Sequence, residues 1–146
     1  MPILALDVGE RRVGVALSDP SGAFALPLTA IRRTTLAADL DAVRALVQEY
    51  DAERIVVGLP ISMSGNVSQQ TMAVQDFADA LAAAVAVPVD TWDERLSTAE
   101  AHRLLRSEDT EAKSRRKKRP VDKARIDAAA AAVILQSYLN AHGRDA

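Results

Sequence analysis

The spacing of apolar residues changes at residue 36, and this change restricts the fold classes open to the chain. Before it, apolar segments of five to seven residues are separated by turn-forming Gly, Pro and Asp, which predicts strands at residues 3–7, 12–18 and 25–31. After it, Leu36, Leu40 and Val43 recur at the spacing of an amphipathic helix. Three strands in direct succession favour an antiparallel meander, so the chain begins with sheet and continues with helix.

The remainder of the chain alternates helices with short apolar strands. Further strands are expected at residues 55–57 and 89–93, and helices at residues 36–50, after a polar loop at 62–70, at 97–106 and at 123–141. Residues 107–122 are charged and irregular. The expected fold is α/β: a three-stranded antiparallel meander followed by parallel βαβ strands in one mixed five-stranded sheet, flanked by helices.

Size and composition limit the classes of protein further. The 146 residues amount to one domain, residues 1–146. The chain has no cysteine, which excludes a disulfide scaffold and a disulfide-linked dimer but leaves a homodimer open. No apolar run approaches the roughly 18 residues of a membrane-spanning helix. The start of the chain has no basic leader and meets Asp7 at once, so a cytoplasmic protein is expected.

Four acidic residues lie at positions where a polar site is expected in such a fold. Asp7 ends the first strand, Asp93 and Glu94 end the fifth, and Asp127 leads an apolar face of the last helix. Sites in α/β sheets form beyond the carboxyl ends of the strands. Neighbouring strand residues point to opposite faces, so only one of Asp93 and Glu94 can share a site with Asp7, and strand parity does not choose between them. The alternatives are a turn carboxylate at Asp7 and a solvated edge position at Asp127.

Converging carboxylates need compensation by protons or cations. Two unit charges about 4 Å apart repel by roughly 4 kcal/mol at an effective dielectric constant of 20. The chain has no cysteine and only two histidines, His102 and His142, so carboxylate oxygens are the main ligands available. Such ligands favour Mg²⁺ or Mn²⁺ over zinc. Carboxylates that hold two such cations can support in-line displacement at phosphorus.

Four blocks of sequence resemble the YqgF (RuvX) family of Holliday junction resolvase-like or pre-16S rRNA nucleases, which have a ribonuclease H-like fold. They are Leu6-Asp7-Val8-Gly9-Glu10-Arg11-Arg12-Val13-Gly14-Val15-Ala16-Leu17-Ser18-Asp19, Val57-Gly58-Leu59-Pro60, Asp93-Glu94-Arg95-Leu96-Ser97-Thr98, and Asp127 with Ile134-Leu135-Gln136-Ser137-Tyr138-Leu139. The resemblance implies catalytic, metal-binding acids at Asp7, Glu94 and Asp127, and so selects Glu94 over Asp93. It also implies metal-dependent cleavage of structured RNA or DNA, above all at the 5′ end of precursor 16S rRNA.

The chain departs from the family pattern in one loop. After Leu59-Pro60 the family usually has Asn-Met-Asp-Gly, whereas this chain has Ser62-Met63-Ser64-Gly65. The loop remains polar but loses an acid at Ser64. The resemblance to the three-acid site is unaffected, while a role for that loop's carboxylate does not carry over.

A basic segment directly before Asp127 indicates a polyanionic partner. Its cationic residues are Lys113, Arg115, Arg116, Lys117, Lys118, Arg119, Lys123 and Arg125. With one acid, the segment carries +7, whereas the other ten basic and nineteen acidic residues give −9. The overall charge of −2 therefore hides a cationic segment suited to phosphates. Arg11, Arg12 and Arg95 could add phosphate contacts, and no aromatic side chain interrupts the basic run, which favours backbone recognition over base stacking.

Three functional hypotheses follow from these features. The first is a nuclease with a two-metal mechanism that processes the 5′ end of precursor 16S rRNA or, as an alternative, resolves Holliday junctions or other branched DNA. The second is nucleotide binding, since an Asp-x-Gly hairpin also opens actin-like and sugar-kinase folds, although those need two such domains. The third is a non-catalytic nucleic-acid-binding or regulatory protein with vestigial acids.

Overall fold

The computed structural model describes residues 2–61, 64–96 and 123–142. Five strands form one sheet in the order β3-β2-β1-β4-β5: β1 (Ile3–Val8), β2 (Arg12–Ser18), β3 (Ala25–Arg32), β4 (Arg54–Leu59) and β5 (Val89–Asp93). The first three pair antiparallel, while β1 with β4 and β4 with β5 pair parallel. This arrangement confirms the predicted meander followed by parallel strands.

Three helices and one 3₁₀ turn complete the described part of the fold. They are α1 (Leu36–Glu49), α2 (Gln69–Ala84), the 3₁₀ turn (Glu94–Leu96) and α3 (Lys123–His142). The helix expected at residues 97–106 and the charged stretch at 107–122 lie outside the described residues. Between residues 2 and 142, no described helix is both long enough and apolar enough to cross a bilayer.

The first turn of α2 corrects one boundary predicted from the sequence. The polar loop was expected to reach residue 70, but α2 begins at Gln69 because Ser68 caps it. The Ser68 side chain accepts a hydrogen bond from the Thr71 backbone N–H, and the Thr71 hydroxyl accepts one from the Ser68 N–H. Satisfying these donors stabilises the helix end two residues earlier than the composition of the loop suggests.

The sheet separates two apolar cores of different character. Leu4, Leu6 and Val57 pack on the face covered by α1 and α2. The opposite face presents Ala5 and Ala16 to α3. Small side chains on this second face, together with the alanines of α3 itself, let the helix lie close to the sheet. Because α3 carries Asp127, this close packing determines how near that acid comes to the strand ends.

Candidate active site at the carboxyl ends of the central strands

Asp7 ends the apolar run of β1 and faces α3. Leu6 and Val8 enter the core under α1 and α2, whereas Ala5 enters the core under α3. Side chains alternate along a strand, so Asp7 shares the α3 face with Ala5. Gly14 lies opposite Asp7 on β2. A glycine at this register position removes the side chain that would otherwise stand beside the carboxylate.

Glu94 approaches Asp7 from the other side, across a second glycine. Trp92 packs in the core under α3, and Glu94 in the following 3₁₀ turn lies on the same face, since it shares the space above Gly58 with Ile134 of α3. Gly58, on β4 between β1 and β5, is the partner of Trp92. The Oε1 atom of Glu94 lies only 3.1 Å from the position that a Cβ of residue 58 would take. Gly58 therefore provides the space that the Ile134 side chain of α3 and the Glu94 carboxylate share.

Asp127 lies near the start of α3, and its backbone rests directly on β2. A Cβ on Gly14 would be 2.0 Å from the Asp127 carbonyl oxygen, so only glycine permits this approach. The carboxylate accepts a hydrogen bond from Nε of Arg12, with 2.5 Å between Nε and Oδ2. The two side chains of this ion pair are 31% and 27% exposed. Water therefore reaches the pair.

Burial and the charges of neighbouring acids raise the pKa values of Asp7 and Glu94. Burial, and then the charge of Asp127, raise the pKa of Asp7 to about 6. Burial, followed by the charges of Asp7 and Asp93, raises the pKa of Glu94 to about 7. Both carboxyls thus titrate near neutral pH, which is a feature of functional sites. Asp7, on the central strand β1, thus lies within electrostatic range of Asp127 on α3 and of Glu94 in the 3₁₀ turn, near the carboxyl ends of the strands.

Asp93, the other acid at the end of β5, has a different environment. It accepts hydrogen bonds from the backbone N–H and from Nη2 of Arg95, at 2.9 and 2.6 Å. The side-chain hydrogen bonds from Arg95 are the main reason that the pKa of Asp93 is lowered. Asp93 is therefore stabilised as an anion by its own neighbour, and the geometry favours Glu94 as the acid that shares a site with Asp7.

The donor set of the three acids fits a hard cation. All of them offer carboxylate oxygens, the ligands that Mg²⁺ and Mn²⁺ prefer. As the side chains stand, no group of three or more His, Cys, Asp or Glu within residues 2–61, 64–96 and 123–142 is arranged to hold a metal ion. Asp127 is bonded to Arg12 in this arrangement. A shared cation would require its carboxylate to exchange that partner.

Two of the arginines predicted to bind phosphate are paired with acidic side chains. Arg12 is bonded to Asp127 and Arg95 to Asp93, whereas the Arg11 side chain is exposed in the turn between β1 and β2. Lys123 and Arg125 are exposed at the start of α3. The remaining predicted basic residues lie outside the described residues: Lys113, Arg115, Arg116, Lys117, Lys118 and Arg119.

The loop that departs from the family pattern lies beside this site. Gly65 has a φ of 83°, and a Cβ there would be 3.6 Å from Nη1 of Arg95. The Ser64-Gly65 turn is therefore adjacent to Arg95, one residue beyond Glu94. Ser64, where the family usually has an acid, therefore lies in a loop close to Glu94.

The glycines of the site make room for the protein's own chain. The turn itself fills the space at Gly9, where a Cβ would meet the Arg12 carbonyl oxygen at 2.9 Å, and α3 fills the space at Gly14. Gly58 was not singled out, although a glycine after Ile55-Val56-Val57 marks a site of close approach.

The chain resembles known proteins in sequence and in structure. Residues 1–141 match the RuvX family, described as Holliday junction resolvase. A Moorella thermoacetica protein named as a pre-16S rRNA nuclease is 49% identical over 145 residues, which cover 99% of each chain. A Desulforudis audaxviator protein of the same name is 44% identical over 140 residues, which cover 96% of this chain and 94% of the other.

Two solved structures resemble the fold over nearly its whole length. RuvC of T. thermophilus in complex with a Holliday junction substrate has a TM-score of 0.58 at 15% identity, covering 97% of this chain and 96% of the other. The fowlpox virus resolvase in complex with Holliday junction DNA has a TM-score of 0.57 at 9% identity, covering 97% and 98%. At such identities the likeness concerns the fold alone, and it confirms the predicted ribonuclease H-like class. Together with the sequence identities of 44–49%, the match over residues 1–141 establishes that the chain belongs to the RuvX family.

Proposed function

We propose that the chain, as one ribonuclease H-like domain over residues 1–146, is a metal-dependent endonuclease that cleaves structured nucleic acid. The observation that carries this proposal is the acidic cluster. Asp7 and Glu94 approach each other across Gly58, and Asp127 raises the pKa of Asp7 from the facing helix. A fold gains no stability by collecting repelling carboxylates at one edge. Their convergence is better explained by a cationic ligand.

The three acids are the groups that would hold Mg²⁺ or Mn²⁺. When bound, such ions supply a hydroxide nucleophile and stabilise the leaving oxygen of a phosphodiester. Asp7 and Glu94 are anchored by the sheet and by the turn after β5, while Asp127 is anchored by contact of its backbone with Gly14. These rigid attachments restrict the positions of the carboxylates, which is the contribution that a protein makes to metal-assisted hydrolysis.

The cationic residues near the acids are suited to the substrate backbone. Three of them are exposed in the structure: Arg11 in the turn after β1, and Lys123 and Arg125 at the start of α3. The sequence has six further basic residues between 113 and 119. Cationic side chains at these positions would bind phosphates without reading base sequence. We therefore expect recognition of the shape of a structured nucleic acid rather than of a base sequence.

The names of the curated relatives favour precursor 16S rRNA as the substrate, and cleavage at its 5′ end is what the resemblance in sequence implies. Relatives at 44–49% identity over almost the whole chain are named as pre-16S rRNA nucleases. The test is incubation of an end-labelled RNA that contains the 5′ leader of 16S rRNA with the protein and Mn²⁺. We expect cleavage that EDTA abolishes. Asp7→Asn and Glu94→Gln should each lower the rate by about a hundredfold or more, because metal-assisted stabilisation amounts to several kcal/mol.

Asp93→Asn is the matched control for this experiment. It removes a charge from the residue next to Glu94, but from a carboxylate that is bonded to Arg95. We expect its rate to stay within a few-fold of the unmodified protein. Full activity of Asp7→Asn would refute the site. Salt-sensitive binding without cleavage, unchanged in Asp127→Asn, would instead identify a non-catalytic binding protein.

Branched DNA is a second candidate substrate for the same site. The matched family is described as Holliday junction resolvase, and two structural neighbours are complexes with that junction. A four-way DNA junction assayed with Mn²⁺ beside the precursor RNA would separate the two. Cleavage of the junction at a rate equal to or above that of the RNA would favour the resolvase.

A further inference from the structure

We infer that Arg12 is an internal counter-cation, which occupies Asp127 in the metal-free protein and leaves it when a divalent cation binds. This inference rests on the proposed metal site. It begins with the ion pair in which Arg12 Nε lies 2.5 Å from Asp127 Oδ2. Charge-assisted hydrogen bonds of this type usually measure about 2.7–2.9 Å, so the contact is a close one.

The backbones on both sides of this ion pair are fixed. The carbonyl of Arg12 accepts a hydrogen bond from the Gly9 N–H at 2.9 Å, and Arg12 is in register with Arg32 of β3. The Asp127 backbone is positioned by the close packing of α3 on the sheet at Gly14. A change of partner at this carboxylate must therefore come from side-chain rotation. The long, partly exposed arginine has the freedom for it.

The electrostatic surroundings explain why a cation is held at this position. Asp127 raises the pKa of the buried Asp7, so the two carboxylates lie close enough to repel. A guanidinium on Asp127 offsets that repulsion with a single positive charge. A divalent cation bound between the same carboxylates offsets it more strongly and repels the guanidinium. Both cations would compete for one carboxylate, so binding of one favours departure of the other.

Once released from Asp127, the Arg12 guanidinium would be free to contact the substrate. It lies in β2 directly after the turn that carries the exposed Arg11, beside the strand of Asp7. The guanidinium that leaves Asp127 is then available for a phosphate oxygen, which it can bind through two parallel N–H groups. Metal loading and exposure of a phosphate-binding arginine would thus be one coupled event.

Calorimetric titration with Mn²⁺ tests the competition. Arg12→Met keeps the length and apolar stem of the side chain but removes the competing cation. Since part-exposed ion pairs contribute modestly, we expect the Kd for Mn²⁺ to fall about two- to fivefold. Arg32→Met is the matched control, because it removes the same charge from the cross-strand partner of Arg12. Its Kd should change less than twofold.

A second measurement follows the arginine itself. In ¹⁵N-labelled protein, the Nε–H resonance of Arg12, assigned by its absence in Arg12→Met, should move toward that of a solvated arginine as Mg²⁺ is added. A stationary resonance during saturable Mg²⁺ binding would overturn the inference, as would an equal fall in Kd for Arg12→Met and Arg32→Met. In both cases the proposed metal site would stand. Absence of any metal binding would overturn the two together.

Discussion

At the scale of single residues, the chemistry of the site depends on where two carboxyl groups are buried. Asp7 and Glu94 lie at the ends of strands, yet burial and the charges of neighbouring acids raise their pKa values to about 6 and about 7. Both groups ordinarily lose their protons near pH 4. In the metal-free protein, deprotonation therefore costs folding free energy that a bound cation would restore.

Asp7→Asn should stabilise the metal-free protein at alkaline pH. The folded pKa of about 6 lies above the unfolded value of 3.8, so the stability supplied by the protonated group is present below pH 4 and is lost as pH rises through 6. A shift of this size corresponds to about 3 kcal/mol. Urea denaturation in EDTA at pH 8 should show a gain of this order, which shrinks toward zero at pH 4.

Added metal provides the control for that prediction. With saturating Mg²⁺, the unmodified protein should gain stability at pH 8 and Asp7→Asn should gain much less, because one ligand is missing. A variant that is no more stable than the unmodified protein at pH 8 in EDTA would contradict the burial of Asp7.

At the scale of secondary structure, the contact between α3 and β2 positions Asp127. Gly14 is the point of closest approach, and the alanines of β1 and β2 extend the same small surface. The 3₁₀ turn that carries Glu94 is joined to α3 as well, because Ser137 Oγ accepts the indole N–H of Trp92 and donates to the Leu96 carbonyl. Helix α3 therefore fixes the geometry of two of the three acids.

Gly14→Ala should damage stability and activity together. The new methyl group would meet the Asp127 carbonyl oxygen at 2.0 Å, so α3 must move away from the sheet. Overpacking of this kind typically lowers the free energy of unfolding by 1–3 kcal/mol. Because the clash is with backbone atoms, which cannot rotate away, we expect a loss of about 3 kcal/mol or more. Chemical denaturation measures the loss of stability, and the RNA cleavage assay measures the displacement of Asp127. A loss below about 0.5 kcal/mol would contradict this close packing.

At the scale of the whole molecule, charge is segregated along the chain. Residues 113–125 carry +7 and the remainder carries −9, although the formal net charge is only −2. An acidic body would repel a polyanion, so binding must be concentrated in the cationic segment. Long-range attraction by such a segment is strongly screened by salt.

Nucleic-acid binding should therefore weaken steeply with salt. If about five cationic side chains each neutralise a phosphate, duplex affinity falls roughly 500-fold between 50 and 200 mM salt. Fluorescence anisotropy in EDTA measures this without cleavage. Replacing Lys117, Lys118 and Arg119 by glutamine should reduce the slope of log K against log salt by about 3 if all three bind phosphates. An unchanged slope would exclude these residues from the interface.

Much of the fold could be predicted from the sequence because local rules determine it. Apolar segments bounded by Gly and Pro predicted the strands, and three-to-four spacing predicted the helices among the described residues, where the errors concern helix and strand ends such as the start of α2. The helix predicted at residues 97–106 lies outside the described residues. The order of these elements then predicted a mixed sheet. The candidate acids could be selected because acids at strand ends and on an apolar helix face are unusual positions.

The sequence by itself determined the elements, their order and the acids worth considering, since these depend on neighbours in the chain. Tertiary structure decided which atoms meet. The approach of Glu94 across Gly58, the contact of Asp127 with Gly14, and the bond from Arg12 to Asp127 join residues separated by 36, 113 and 115 positions. The physical reason is that pKa shifts, ion pairs and close packing depend on distances in space. The pairing of the strands and the packing of α3 on the sheet determine those distances.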